Sequence, residues 1–404
     1  ISQFGVNERE FFNAGFSTLF DAGVVYPDGP GPGYSVPSQL IDAVAAGSGS
    51  PGFEMNSLDP NFEIPGEWKV SFGGTYDLYT PLDNFLGGDY RINADVLWSQ
   101  DHNAAIITRR DLVETGTGPA GFPLYSSVNS PGTLELTNTD VEAESINFAF
   151  TIEKDYDFGL NWIFGYAYND AEDVQPMTSS VAFSNYVSRS FVGVNDEVAS
   201  LSNYNIENRF TLSVNYEHEF VQDYSTRFSL FAMATSGRPF SYTMSAKCVV
   251  ELTNVTPLLL DANWLLYVPT VPADPNVGLS ALPAAEVSAF FNFIQEAGLS
   301  GQAGGFAERN GDQGGWWTKA DLRISQDLPG FMEGHRSQVF LDIDNFTNLL
   351  NDEWGILNEA GFPRRNRVVD AELNGTNTQF VYSNFNDPTT TTRVGGASLW
   401  SVRV

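Results

Sequence analysis

The chain is poor in the chemistry of metal and thiol sites. One cysteine in 404 residues, Cys248, removes any disulfide framework. Three scattered histidines, His102, His218 and His335, leave zinc without a ligand set. Positive charge is scarce too: 20 Lys and Arg stand against 50 Asp and Glu, a formal net charge of -30. Phosphate backbones are bound by clustered cations, so nucleic acid is excluded as a partner. No run approaches eighteen consecutive apolar residues, which excludes a transmembrane helix. A membrane barrel stays open, because its strands carry apolar residues only at every second position. At Ile1 there is no methionine, basic n-region or apolar h-region, so a removed signal peptide or a fragment is expected. Apolar residues make up 42% and aromatics 14% of the chain, enough for a folded protein despite the net charge.

The apolar residues recur with period two. Trp68, Val70, Phe72, Tyr76 and Leu78 alternate with Lys69, Ser71, Gly73, Thr75 and Asp77, the signature of a strand with two chemically opposite faces. The same parity appears in Tyr90, Ile92, Ala94, Val96 and Trp98, and in Ile146, Phe148, Phe150 and Ile152. Further rows are Phe158, Leu160, Trp162, Phe164, Tyr166 and Tyr168, then Phe210, Leu212, Val214 and Tyr216. Weaker or shorter strands are expected at 228–235, 316–324 and 339–343, and the row Trp400, Val402, Val404 stops in mid-strand. About nine strands result.

The connections alternate in length. Short turns are expected near 79–89, 154–157, 221–225 and 329–336, each punctuated by Gly, Pro, Asp or Asn. Long loops fall between them, near 109–140, 170–203, 241–315 and 350–397, and residues 1–65 read as an irregular extracellular segment. Outer-membrane barrels alternate in this way, with short periplasmic turns and long external loops. Aromatics also mark strand ends, as Tyr79, Tyr90, Trp98, Tyr168, Tyr216 and Trp316 do, where an interfacial girdle would place them. The expected fold class is therefore all-β, a transmembrane antiparallel barrel, with a soluble sandwich as the alternative. In the barrel Trp68, Val70, Phe72, Tyr76, Ile146, Phe148, Phe150, Leu160, Trp162, Phe164, Leu212 and Val214 face lipid. Nine is odd for a bacterial barrel and few for a wide pore, so further strands are expected upstream.

Catalytic constellations are not expected. No Gly-x-Ser-x-Gly turn opens a helix. Asp342 and Asp344 resemble an acid and base pair, but with Val339, Leu341 and Ile343 toward lipid they simply face the lumen. Asp170, Glu172 and Asp173 carry the oxygen ligands that calcium takes, without the spacing or glycine of a calcium loop, so a solvated loop is the first reading. Gly311, Gly314 and Gly315 open no helix, so no phosphate cradle is expected. In the longest loop, Val287, Phe290, Phe291 and Ile294 recur at helical spacing, with Pro283 and Glu286 at the start and Gly298 at the end. This helix is expected to pack over the extracellular mouth as a gate, or else only against neighbouring loops.

Several short runs occur in a telling order: Ser236-Gly237-Arg238-Pro239-Phe240, Arg309-Asn310-Gly311, Trp316 with Asp321-Leu322-Arg323-Ile324-Ser325-Gln326, and Asp344-Asn345-Phe346-Thr347-Asn348-Leu349-Leu350-Asn351. Together they resemble the last third of TonB-dependent outer-membrane receptors, nearest the Oar-like group that carries a carboxypeptidase-regulatory-like domain. The resemblance runs from about Ile64 to Val404. It implies part of a 22-stranded barrel whose plug lies outside this sequence, and integral residence in the outer membrane of a Gram-negative bacterium. It also implies substrate capture by the external loops and import driven by the inner-membrane TonB complex. The implied partners are outer-membrane lipid, lipopolysaccharide, and a surface lipoprotein or other envelope protein; no cofactor is implied. Family members end their last strand on an aromatic residue, whereas Val404 ends this chain, so residues are expected to be missing there as well. Arg238, Arg309 and Asn310 fall within the motifs as candidate lumen contacts, for an anionic substrate or for lumen carboxylates. A passive porin-like barrel and a soluble all-β binding module are the alternative functions.

Overall fold

A computed structural model describes residues 56–82, 84–127, 133–246, 250–251, 263–332, 334–388 and 392–404. Most of the segment read as irregular, residues 1–55, lies outside the described residues; Asn56–Leu58 is a strand pairing parallel with Leu134–Asn138.

The chain is all-β in character, and its largest sheet is a meander. Its nine strands are β1 (Gly66–Thr80), β2 (Gly88–His102), β3 (Glu144–Asp155), β4 (Leu160–Asp173), β5 (Asn208–Val221), β6 (Tyr224–Thr235), β7 (Trp317–Pro329), β8 (Arg336–Asp344) and β9 (Ser401–Arg403). They pair antiparallel in chain order, and the two-residue strand Ser200–Leu201 is added beside β4. The strands form because β-branched and aromatic residues recur at every second position, which suits a pleated sheet with one apolar face. β1 and β9 are its edges, and no sheet among the described residues closes on itself.

Because the sheet is a meander, all four short turns lie at one end and all four long connections at the other. Gly159 shows why one turn is tight: its φ is +91°, and a Cβ there would collide with the Glu217 carbonyl of the neighbouring strand β5. Two sequence expectations need correction here. Phe158 lies in that turn and β4 begins at Leu160; Trp316 precedes β7, which begins at Trp317. At both places the apolar period runs on beyond the last paired residue.

The four long connections are not simple polar loops. They contain almost all of the buried apolar core, to which no residue of the nine strands contributes. A second sheet orders Trp264–Leu265, Pro239–Ala246, Arg365–Leu373, Phe380–Ser383 and Val277–Gly278, with Asp312–Gln313 also pairing to Pro239–Ala246. Phe122, Tyr186, Trp264 and Tyr382, one from each long connection, are fully buried together. The Phe122 ring lies 5.1 Å from Trp264 and 5.3 Å edge-on to Phe380, the tilted geometries that aromatic rings favour. We call this unit the cap.

Asp274 organises one corner of the cap. Burial pushes its carboxyl up, but N–H groups of Thr270 and Asn276 and hydroxyls of Thr270 and Tyr267 donate to it and hold it below the usual carboxylate range. A depressed pKa contributes stability that is present above the unfolded value of about 3.9 and is lost as pH falls through the folded value. Asp274→Asn is therefore expected to flatten the acid limb of cap unfolding below about pH 4. Thermal melts of both proteins between pH 3 and 7 check this; parallel curves would contradict it.

The polypeptide enters the cap through a close backbone crossing. A Cβ on Gly237 would collide with backbone atoms of Gly314, and the Gly314 N–H donates to the Arg238 carbonyl at 3.0 Å. Only glycine fits at such an approach. Gly237→Val is expected to lower stability by about 1–3 kcal/mol, typical of overpacking; calorimetry that finds no change would argue against this crossing.

Candidate functional site

The meander presents two unlike surfaces. In register, Phe72, Val96, Phe148, Tyr168 and Asn208 lie side by side, as do Ile92, Ile152, Phe164, Leu212, Ala232 and Ala320. Trp162 pairs with Val214, and Val214 with Leu230; Leu230 pairs with Leu322, Leu322 with Ile343, and Ile343 with Val402. Trp68, Val70, Tyr76, Ile146, Phe150 and Leu160 belong to the same face. All twelve residues assigned from sequence to the apolar face thus share it. Among the described residues nothing in the core covers this face: Phe72 is 83% exposed, Trp68 69%, Tyr76 64% and Val70 62%. Ile146 is exposed, and Phe148, Phe150, Leu160, Trp162, Phe164, Leu212 and Val214 are half-buried by one another.

The opposite face is rich in charge and amides, with Leu97, Ile163, Phe231 and Met233 interspersed among them. Arg91 bridges Asp77 at 3.1 Å and Glu153 at 3.4 Å across three strands. Arg227 likewise joins Glu217 at 3.1 Å and Asp327 at 2.9 Å. Asp342 faces Arg323 at 3.3 Å, and Asp344 faces Arg403 at 3.0 Å, so the paired carboxylates are neutralised by cations rather than placed for acid and base work. Thr75, Asn93 and Thr151 are joined in one hydrogen-bonded row between them.

The motif residues lie where this sheet meets the cap. Arg309 is buried and pairs with Asp173, the last residue of β4, at 2.9 Å. Asn310, at φ +56°, donates to the Leu201 carbonyl and to Asn203, and its backbone N–H donates to Ser241. Arg238 approaches Glu359 at 3.8 Å, and Arg364 reaches the same carboxylate at 3.4 Å. Asn345 follows β8: its N–H donates to Asp321 of β7 and its side chain to the Gly355 carbonyl. These residues are brought together as polar knots, with their side chains already engaged.

Asp170, Glu172 and Asp173 are not a loop. They end β4, where alternation sends Asp170 and Glu172 to the apolar side and Asp173 to Arg309 on the other. No group of three metal-ligating side chains converges among the described residues.

The helix Ala284–Glu296 forms where its spacing predicts, with Glu286 in its first turn, Pro283 just before it and Gly298 at φ +70° after it. Phe290 and Ile294 are buried, and Val287 and Phe291 are half-buried against the core. Phe293, which the four-residue stripe omits, is buried too and lies 5.1 Å from Tyr242. The apolar side of the helix is a wall of the cap.

A cavity of about 470 Å³ lies between the top of β4 and the cap, with Glu172, Val174, Arg189, Phe191, Leu265 and Arg309 among its walls. Nothing in the sequence marks Arg189, which sits between two serines in a region of weak periodicity. Compared with known proteins, the chain matches no family model, no curated protein and no solved structure.

Proposed function

We propose that this chain is the C-terminal part of an outer-membrane β-barrel transporter of the TonB-dependent type. The apolar face of the meander lies against lipid, the charged face lines the lumen, and the cap stands on the extracellular side as the substrate-capturing surface. The observation that carries this reading is the continuous apolar face, in register over nine strands and, among the described residues, left uncovered by a second layer. Exposed apolar patches beyond a few hundred Å² mark interaction surfaces, and one this broad on a long antiparallel sheet suits hydrocarbon. In lipid the open edges at β1 and β9 must also be paired, which requires further strands from the rest of the barrel. The ion-pair rows on the other face suit a wet lumen. The helix Ala284–Glu296 belongs to the cap, where it narrows the mouth as a structural wall.

Heat-modifiable migration in detergent gels tests the reading. The full-length protein is expected to run faster unheated than boiled and to float with liposomes. Identical migration and a soluble, unliganded protein would favour an all-β binding module. Energy-independent uptake by the folded barrel would instead favour a passive pore.

A further inference from the structure

The cavity at the junction holds two guanidinium groups in different circumstances. Arg309 is paired with Asp173. Arg189 is 4% exposed, and among the described residues no carboxylate lies within ion-pair distance of it. Its Nη1 donates to the Asp196 carbonyl oxygen at 2.6 Å and its Nη2 to the Val194 carbonyl oxygen at 3.3 Å. Its Nε has no partner. Guanidinium has five N–H donors and stays charged, so a buried one that donates to two carbonyls and lies 5.7 Å over the Phe191 ring keeps unused donors. Burial lowers the tendency of Arg189 to hold its proton and the nearby Arg309 adds to this, while Tyr186 and the carboxylates of Asp196 and Glu197 offset part of the effect. In a chain with 50 acidic residues, a buried arginine with no carboxylate at ion-pair distance among the described residues is the exception.

The remaining walls narrow the ligand. Phe191, Leu265 and Phe306 supply apolar surface, and about 470 Å³ falls in the range of small-molecule sites. Glu172, Asp196 and Glu308 also line the cavity and would repel a second negative charge. We propose that this cavity binds a small monocarboxylate with an apolar body, the carboxylate held by Arg189 and the body against Phe191, Leu265 and Phe306. Planar, forked donors match a carboxylate, and a buried site strengthens that pairing. The inference deepens the reading of the cap as the capturing surface. Binding is measured without transport, so failure of one is separable from failure of the other.

The test uses purified full-length protein and 4-phenylbutyrate as the probe, with 4-phenylbutanamide and inorganic phosphate as controls, read by calorimetry. Saturable binding of the acid at one site is expected, with the amide and phosphate at least about tenfold weaker. Arg189→Gln is expected to weaken the acid by at least about tenfold, while Arg110→Gln, an exposed side chain that pairs with Glu135, leaves it unchanged. Should Arg189→Gln fail to fold, Val198→Trp, at an exposed wall position, fills the cavity while retaining Arg189 and is expected to abolish the same heat signal. No saturable binding of the acid, equal affinity for acid and amide, or undiminished binding in Val198→Trp would overturn the proposal.

Discussion

Phe164→Arg is expected to destabilise the protein in phospholipid vesicles by about 2–4 kcal/mol, the cost of a cation near the middle of a barrel's lipid face. Phe164 is central in β4, paired with Ile152 on one side and Leu212 on the other. Ser213→Arg provides the control, because Ser213 lies in the next strand on the charged face, opposite Ile163. There the new side chain lies between Ile163 and Phe231 on the face expected to meet water, and its cost should stay within about 0.5 kcal/mol. Urea titrations of the vesicle-inserted proteins measure both values. In a water-exposed sheet the two substitutions would cost about the same, since neither side chain would leave solvent.

Phe290→Ala is expected to cost the cap about 3–5 kcal/mol while leaving the meander intact. Phe290 is fully buried, with its ring centroid 5.9 Å from Tyr382 and 5.6 Å from Phe385, so truncation leaves a void in the aromatic cluster. The meander shares no core side chain with this cluster, which separates the two responses. Limited proteolysis should then cut the long connections rapidly, while the heat-dependent gel shift persists. Removing residues 282–300 goes further. It deletes Leu282, Phe290, Phe293, Ile294 and Leu299 from the core, so loss of the folded cap is expected rather than the opening of a gate. If ligand uptake survived that deletion undiminished, the cap would not be the capturing surface.

The strands of the meander were legible because period-two alternation is a local property. Trp68 to Leu78 and Phe210 to Tyr216 reveal their faces within one strand, with no knowledge of neighbours. Strand ends were less legible, since Phe158 and Trp316 keep the apolar period after pairing has stopped. The cap was mostly hidden for a different reason. Its sheet joins Pro239–Ala246 in parallel to Arg365–Leu373, more than a hundred residues later, and several of its strands are only two residues long. A weak signal existed: Phe240, Tyr242 and Met244 alternate with Ser241, Thr243 and Ser245, and all six are buried. The motif residues were legible as types but not as roles. Arg309 and Asn310 are spent on Asp173, Leu201 and Asn203, partners that only the folded junction brings near. Arg189 left no trace in the sequence, because its distinction, that no carboxylate among the described residues lies within ion-pair distance, arises only in the fold.

The claim on which the rest depends is that the apolar face of the meander meets lipid. Nitroxide scanning along Asn208–Val221 in liposomes tests it most directly. The single native cysteine is first replaced by Cys248→Ser, and one label is placed at each position in turn. Collision with oxygen, which partitions into hydrocarbon, and with a water-soluble nickel chelate, which does not, should alternate with period two. Labels at 210, 212 and 214 should favour oxygen, and labels at 211, 213 and 215 the chelate. Uniform access of the chelate to all six positions would contradict the membrane assignment.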